Sequence, residues 1–146
     1  MSRFVVWTAG FFDGEGSITI ARNRRPKGRI EHCLLVAITQ KVRKPLDEIA
    51  ERWGGYVIPI YNKKTERGYF AWHVSAKIAN RFLKDIVAFL RVKRRDAEVG
   101  IEFQKTKRDT RKHPSRFRTS EAVLALREAF RKELFSIHNR GGKVWT

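Results

Sequence analysis

The sequence predicts an α+β domain whose elements follow the order αββαββα, with further helices at the C-terminus. Residues 17–24 and 31–40 alternate between apolar and polar side chains, which predicts a first β-hairpin. Residues 56–61 and 69–74 predict a second hairpin, and segments with apolar residues at helical spacing flank both. We therefore expect one four-stranded antiparallel sheet with helices on one face and the other face open.

The elements of the first half begin with a helix over residues 4–13, an apolar run that ends in acids interleaved with glycines. The tip of the first hairpin, residues 24–29, combines turn residues with dense positive charge. Lys44-Pro45 predicts the start of the next helix, because proline is favoured in a first turn. Gly54-Gly55 predicts its end.

Helices dominate the second half of the chain. The elements expected after the second hairpin are a helix over 78–90, a helix near 93–103, a basic connector over 105–118 and a final amphipathic helix with Val123, Leu126, Phe130, Leu134 and Ile137 on its buried face. We expect a single domain over 1–146, with a core in 1–92 and a helical basic extension over 93–146.

The charge balance indicates the partner. Lysine and arginine total 32 against 15 acidic residues, so the formal net charge is +17. Such an excess repels itself in a compact fold unless a polyanion binds. Nucleic acid is the favoured partner, and a ribosome-like structural role or an anionic membrane surface are the alternatives.

Three features of the sequence indicate the compartment. The longest apolar run, residues 4–12, is too short to span a bilayer, so we expect no membrane insertion. The sequence opens without a secretory leader pattern, and the single Cys33 excludes an internal disulfide and a cysteine-rich zinc site. We expect an intracellular protein that is not secreted.

The segment 8–16, Thr-Ala-Gly-Phe-Phe-Asp-Gly-Glu-Gly, carries the strongest functional signal. Asp13 and Glu15 lie at the C-terminal end of the first predicted helix, where acidic side chains are disfavoured by up to about 1 kcal/mol each. Acids placed there, between glycines, indicate that a cation belongs beside them, and a divalent metal ion is the natural candidate. The alternative for Glu15 is a surface salt bridge with an arginine.

A helix that ends in Asp-Gly-Glu-Gly and precedes two basic hairpins resembles the LAGLIDADG homing endonuclease family over residues 4–95. Thr8 replaces the usual first leucine, and Glu15 stands where the family has aspartate or glutamate. The resemblance implies that Glu15 and Gly14 bind the metal. It also implies that Glu15, Gln40 and Lys93 are catalytic, with Gln40 orienting metal-bound water and Lys93 facing the scissile phosphate.

Phosphodiester hydrolysis needs an activated water, a neutralised phosphate and a stabilised leaving oxygen, which carboxylate-bound divalent metals supply. Hard oxygen ligands favour Mg²⁺, with Mn²⁺ as a substitute. The resemblance also implies that Lys44 supports Lys93 beside the phosphate.

One motif per chain implies a homodimer. Gly10 and Gly14 are four residues apart, and Val6 and Asp13 fall on the same helical face, so a second helix backbone can approach closely. Two such helices would cross on a two-fold axis and bring one Glu15 to each DNA strand. Asp13 is expected to be a helix-end and interface residue. The alternative is a glycine pair that serves packing within the chain.

Strand alternation predicts which side chains meet double-stranded DNA. Asn23 and Arg25 suit adenine and guanine edges, Glu31 suits cytosine, and apolar positions suit thymine methyl groups. The residues expected to face bases are Thr19, Ala21, Asn23, Arg25, Glu31, Cys33, Leu35 and Ala37, with Tyr69 and His73 from the second hairpin. Those expected to contact phosphates are Arg22, Arg24, Lys27, Arg29, Lys63, Lys64 and Arg67. For Cys33 a buried thiol is the alternative, and the phase of residues 56–61 stays open.

A predicted strand of about eight residues covers about 26 Å, which is the length of roughly eight base pairs per subunit. The resemblance therefore implies double-strand breaks in a long, pseudo-palindromic target. The alternatives are a maturase that binds intron RNA and a DNA-binding regulator without catalysis.

Overall fold

The computed structural model describes residues 2–107 and 119–143, with the side chains of the last helix described as far as Ile137. Its helices and strands are α1 Arg3–Glu15, β1 Gly16–Arg24, β2 Ile30–Gln40, α2 Lys44–Trp53, β3 Tyr56–Asn62, β4 Arg67–Ser75, α3 Ala76–Ile86, α4 Arg94–Lys105 and α5 Glu121–Lys143. The predicted α+β class and the order αββαββα are confirmed. Most of the predicted basic connector, from residue 108 to residue 118, lies outside the described residues.

The four strands form one antiparallel sheet in the order β1-β2-β4-β3. Each predicted hairpin is present, and the adjacency of β2 and β4 joins the two. Ile38 of β2 lies opposite both Gly16 of β1 and Trp72 of β4, so all three occupy one level of the sheet.

Apolar side chains on one face of the sheet meet the helices. Ile18, Leu34, Val36 and Trp72 are fully buried there. Phe82 of α3 stands at the centre, with its ring centroid 4.8 to 5.3 Å from those of Trp53, Trp72 and Phe12 in edge-on contacts. This cluster fixes α1 and α3 against the sheet.

Helices α4 and α5 add to the same core. Ala97, Val99 and Phe103 of α4 are fully buried, and Leu134 of α5 is 2% exposed in the same cluster. One hydrophobic core therefore includes residues from both sides of position 92. None of the helices within the described ranges combines the length and the apolar content that crossing a bilayer requires.

The structure corrects two helix predictions. The helix expected over 78–90 ends at Ile86, and a 3-10 turn at Val87–Phe89 leads Leu90 into the core from extended backbone. In α5 Leu126 is 47% exposed, whereas Arg127 is buried. The guanidinium of Arg127 donates to Thr106 at the end of α4, which helical spacing of apolar residues does not reveal.

Candidate metal site and nucleic-acid interface

Glu15 is exposed at the junction of α1 and β1. The chain turns there from helix to strand over the ring of Phe12, and the Gly16 amide donates to the Phe12 carbonyl. A Cβ on Gly16 would lie within 2.6 Å of three Phe12 ring atoms, so only glycine fits this junction. The last glycine of the motif therefore makes the turn that presents the Glu15 carboxylate to solvent.

A pocket of about 530 Å³ opens beside Glu15. Its lining residues are Glu15, Thr39, Gln40, Lys41, Asn62, Thr65, Arg67, Gly68 and Tyr69. Glu15 and Gln40, which were predicted to act together, are thus brought together. The pocket side chains that sequence reasoning missed are Thr39, Lys41, Asn62 and Thr65.

Asp13 has its partners within the chain. The backbone amides of Arg91, Val92 and Lys93 donate to its carboxylate at 2.8, 3.1 and 3.0 Å. These three residues lead directly into α4, so Asp13 ties the end of α1 to the start of α4. The structural role expected for Asp13 has a physical basis, while its place in a subunit interface stays a prediction.

Lys93 does not line the pocket with Glu15 and Gln40. Its ammonium donates to the carbonyl oxygens of Asp13 at 2.6 Å and Phe12 at 3.3 Å. A cation at these last-turn carbonyls offsets the negative end of the helix. To face a phosphate, as predicted, the Lys93 side chain would have to leave the carbonyls for the pocket.

The oxygen donors at this corner fit a hard divalent cation in part. The Glu15 carboxylate and the Gln40 side chain line one pocket, and Gly14 lies in the last turn of α1. The described ranges contain no group of three or more His, Cys, Asp or Glu side chains able to hold a metal. Mg²⁺ is commonly bound by one or two carboxylates, water and substrate phosphates, so a single carboxylate is sufficient only with ligands from outside this chain.

One face of α1 is open. Cβ atoms added to Gly10 or Gly14 would meet no atom of the described residues within 4 Å, and Val6 is 41% exposed. The alternative that these glycines serve packing within the chain therefore finds no support in the described ranges. Trp7, which was not singled out from the sequence, is 45% exposed beside this face and stacks on Phe4.

The other large surface is the side of the sheet away from the helices, which we call the open face. Thr19 lies opposite Leu35, Ala21 opposite Cys33, and Asn23 opposite Glu31, as the predicted alternation requires. Cys33 is half-buried among these residues and is not a core thiol. The register also sets the phase of the second hairpin, whose open-face pairs are Tyr56 with His73, Ile58 with Ala71, Ile60 with Tyr69, and Asn62 with Arg67.

The basic residues fall into two groups. Arg22 shares the phase of the buried Ile18 and Ile20, and its guanidinium lies 4.0 Å from Glu128 of α5. Its predicted phosphate contact is therefore not favoured by its position. The remaining predicted phosphate contacts with exposed side chains are Arg24, Lys27 and Arg29 at the first tip, Lys63, Lys64 and Arg67 at the second, and Lys44 at the start of α2.

Arg25 and Glu31 form an ion pair across the first hairpin, with Arg25 Nε 2.5 Å from Glu31 Oε2. The hydrogen bond from Arg25 lowers the pKa of Glu31. The two side chains predicted to read guanine and cytosine therefore bind each other in the free protein. The contact uses Oε2 of Glu31, and its other carboxylate oxygen can still accept a hydrogen bond from a cytosine.

The fold and the site together define a class of protein in which a helix ends at an exposed carboxylate beside the open face of an antiparallel sheet. The family model described as LAGLIDADG endonuclease matches residues 8–109, which is most of the chain. The protein therefore belongs to the LAGLIDADG endonuclease family. The match extends past residue 95, the limit expected from the sequence, and includes α4.

Solved structures show the same fold. The chain is similar to the homing endonuclease I-CvuI in complex with its target, with a TM-score of 0.73 and 19% identity over 91% of this chain and 80% of that one. For the archaeal intron-encoded homing endonuclease I-Vdi141I complexed with DNA, the TM-score is 0.72 and the identity is 19%, over 91% of this chain and 82% of that one. For the meganuclease I-SmaMI bound to uncleavable DNA, the TM-score is 0.67 and the identity is 16%, over 90% of this chain but 44% of that one.

Proposed function

We propose that this protein is a homing endonuclease that acts as a homodimer and makes double-strand breaks in a long, pseudo-palindromic DNA target. The observation that carries the proposal is the exposed Glu15 beside the open face, which basic hairpin tips flank. Family membership supports nuclease chemistry, and the net charge of +17 supports a polyanionic substrate.

Double-stranded DNA is the proposed substrate. The structures of I-CvuI, I-Vdi141I and I-SmaMI named above are complexes with DNA. Strand β2 has 11 residues, which is about 36 Å of extended chain. That length corresponds to roughly ten base pairs along a groove, so two subunits would contact a target of about twenty.

The homodimer rests on two observations. The α1 face with Val6, Gly10 and Gly14 has no partner among the described residues, and a glycine pair lets helix backbones approach closely. The chain also spans 80% of I-CvuI but only 44% of I-SmaMI, as expected if the longer protein contains two such units. Two copies of α1 crossing at the glycines would place two Glu15 carboxylates near one axis.

A bound Mg²⁺ would activate water and stabilise the leaving oxygen. Glu15 would hold the ion, with the Gly14 position beside it, and Gln40 would orient the water through its side-chain amide. I-CvuI complexes were obtained in the presence of Ca and of Mg, which supports a divalent cation as the cofactor. Lys93, released from its carbonyls, would neutralise charge on the phosphate.

The test is cleavage of a plasmid library that carries randomised inserts, in the presence of Mg²⁺. We expect the wild type to cut a subset of plasmids and Glu15→Gln to cut none, because the amide cannot hold the cation. Glu51→Gln, at an exposed position of α2, is the matched control and should cut like the wild type. Equal cutting by Glu15→Gln would refute the role of Glu15, and binding without cleavage by the wild type would favour the regulator.

A further inference from the structure

The open face is divided into an apolar and a polar part. Leu35, Ala37, Ala71, Ile58 and Tyr56 form the apolar part, which we call the apolar patch. Leu35 is 38% exposed, Ile58 39% and Tyr56 80%, so large apolar side chains reach the surface of the open face. The polar part is the far end of the first hairpin.

The apolar patch has two sides, Leu35 with Ala37 on β2 and Ile58 with Tyr56 on β3, and the exposed His73 and the 7% exposed Ala71 of β4 lie between them. Ala37 and Tyr56 both lie opposite His73, and Ile58 lies opposite Ala71. Leu35 follows Ala37 along β2 on the same face. Successive positions on one face are about 6.8 Å apart, so each step along the patch corresponds to roughly two base pairs.

The apolar patch lies nearer to Glu15 than the polar end does. Ser17, two residues after Glu15, is opposite Ala37, whereas Asn23, eight residues after Glu15, is opposite Glu31. Arg25 joins Glu31 at that far end. The inner part of a half-site would therefore meet the apolar patch, and the outer part would meet Asn23, Glu31 and Arg25.

The chemistry of the major groove then decides which bases suit each part. The thymine methyl group is the apolar feature of the major-groove edge, whereas adenine, guanine and cytosine present donors and acceptors. A donor or acceptor pressed against Leu35 or Ile58 would lose water without gaining a partner. Arg67, at the tip of the second hairpin, lies on the open face four residues along β4 from Ala71 and suits a phosphate on that side of the patch.

We infer that the apolar patch selects base pairs with exposed thymine methyl groups in the inner part of each half-site. This inference rests on the proposed function and adds the base composition of the substrate. Leu35 and Ile58 are the specificity-determining residues, and the polar end specifies the outer base pairs.

The test begins with selection of bound duplexes from a randomised library, in Ca²⁺ so that binding is measured apart from cleavage. We expect thymine to be enriched at inner positions. The selected site is then made with uracil in place of single thymines, which removes one methyl group and changes nothing else. Each inner substitution should weaken binding about fourfold, the effect of burying one methyl-sized group, and outer substitutions should have no effect.

Variants assign the effect to side chains. Leu35→Asn and Ile58→Asn should each remove the penalty for uracil at one inner position, because the apolar contact with the thymine methyl group is already lost. Asn23→Ala is the matched control on the open face and should keep every inner penalty. Melting curves check that each variant is folded, as expected for substitutions at exposed positions.

Selection of a defined site with equal affinity for thymine and uracil at all inner positions would overturn the inference and leave the proposed function intact. A penalty that persists in both Leu35→Asn and Ile58→Asn would overturn the assignment to the apolar patch. Absence of any sequence-selective binding to DNA would overturn the inference and the proposed function together.

Discussion

Two carboxylates separated by one glycine have different surroundings in this protein. Asp13 accepts hydrogen bonds from three backbone amides and holds α4 against α1. Glu15 is exposed at the pocket and sits at the negative end of α1. Asp13 therefore stabilises the fold, whereas Glu15 is the proposed ligand of the cation.

Asp13→Ala should lower the free energy of unfolding by about 1.5–3 kcal/mol, because hydrogen bonds to a charged acceptor are lost. Glu15→Gln should leave stability unchanged or raise it by a few tenths of a kcal/mol, because an acid leaves a helix C-terminus. Urea denaturation of both variants measures the difference. Equal losses in the two variants would contradict this division.

Glu31→Gln should raise affinity for DNA and reduce discrimination at the outermost base pairs. The carboxylate repels phosphates, so its removal should raise affinity for any duplex. It also holds Arg25 in place, so its removal should reduce discrimination between duplexes. Binding of selected and scrambled duplexes at one salt concentration separates the effects. A Glu31→Gln variant that keeps full discrimination at the outermost base pairs would contradict this prediction.

At the scale of elements, α5 is attached to the sheet through a polar cluster. His32 of β2 is buried, and its Nε2 lies 2.9 Å from Glu128 of α5. Arg131 and Arg22 flank the same carboxylate, at 2.9 and 4.0 Å. The ammonium of Lys107 donates to the His32 carbonyl oxygen beneath the helix.

This cluster makes the attachment of α5 sensitive to acid. The hydrogen bond from His32, and then Arg131 and Arg22, lower the pKa of Glu128 below its usual 4.5. A carboxyl group with a lowered pKa stabilises the fold above its unfolded pKa, and this stability is lost as pH falls through the folded value. We expect the hydrogen-exchange protection of α5 to fall below pH 4.5 before that of the sheet does.

Glu128→Gln should reduce the protection of α5 at neutral pH to the level that the wild type shows in acid. The matched control is Glu133→Gln on the same helix, because Glu133 pairs with the exposed Arg95 and such pairs add little. Unchanged protection of α5 in Glu128→Gln would show that apolar contacts such as Leu134 hold the helix alone.

The sequence predicts the elements well where periodicity is strong. Alternation from Ser17 to Gln40 gave the first hairpin and its open face. The end of α3 was not predicted, because Leu90 continues the helical spacing of Ile86. In the structure the next three backbone amides donate hydrogen bonds to the Asp13 carboxylate instead of continuing a helix. A distant hydrogen-bond acceptor outweighs local pattern there.

The site is less predictable than the fold, because it depends on which strands become neighbours. Glu15 and Gln40 follow from the motif and the end of β2. Asn62 and Thr65 reach the same pocket only because β4 pairs with β2, and no local pattern fixes that pairing. Lys93 follows from the family pattern, but its bonds to α1 carbonyls depend on the folded path of the chain.

At the scale of the whole molecule, a substitution on the open α1 face should change self-association without lowering the stability of the monomer. The added methyl group of Gly10→Ala meets no atom of the described residues within 4 Å, and the substitution should raise the stability of the monomer by up to about 1 kcal/mol, since alanine favours helix. The same methyl group would prevent close approach of a second α1, so self-association should weaken at least tenfold. Sedimentation equilibrium and thermal melting measure the two effects.

Gly100→Ala is the contrasting variant. A Cβ there would lie 3.0 Å from Leu83 and 3.1 Å from Leu34, inside the core. This substitution should destabilise each subunit by about 1–3 kcal/mol through overpacking and leave association of the folded chain unchanged. If Gly10→Ala left association unchanged as well, the crossing of α1 helices would be excluded.

Strand-specific cleavage by a mixed dimer tests the central claim most directly. Dimers of one wild-type and one Glu15→Gln subunit, purified through different affinity tags, are incubated with the selected target in Mg²⁺ with each strand labelled. If each Glu15 serves one strand, the mixed dimer nicks a single strand per molecule, while the wild-type dimer cuts both. Double-strand cleavage by the mixed dimer at the wild-type rate would contradict a shared centre built from one Glu15 of each subunit.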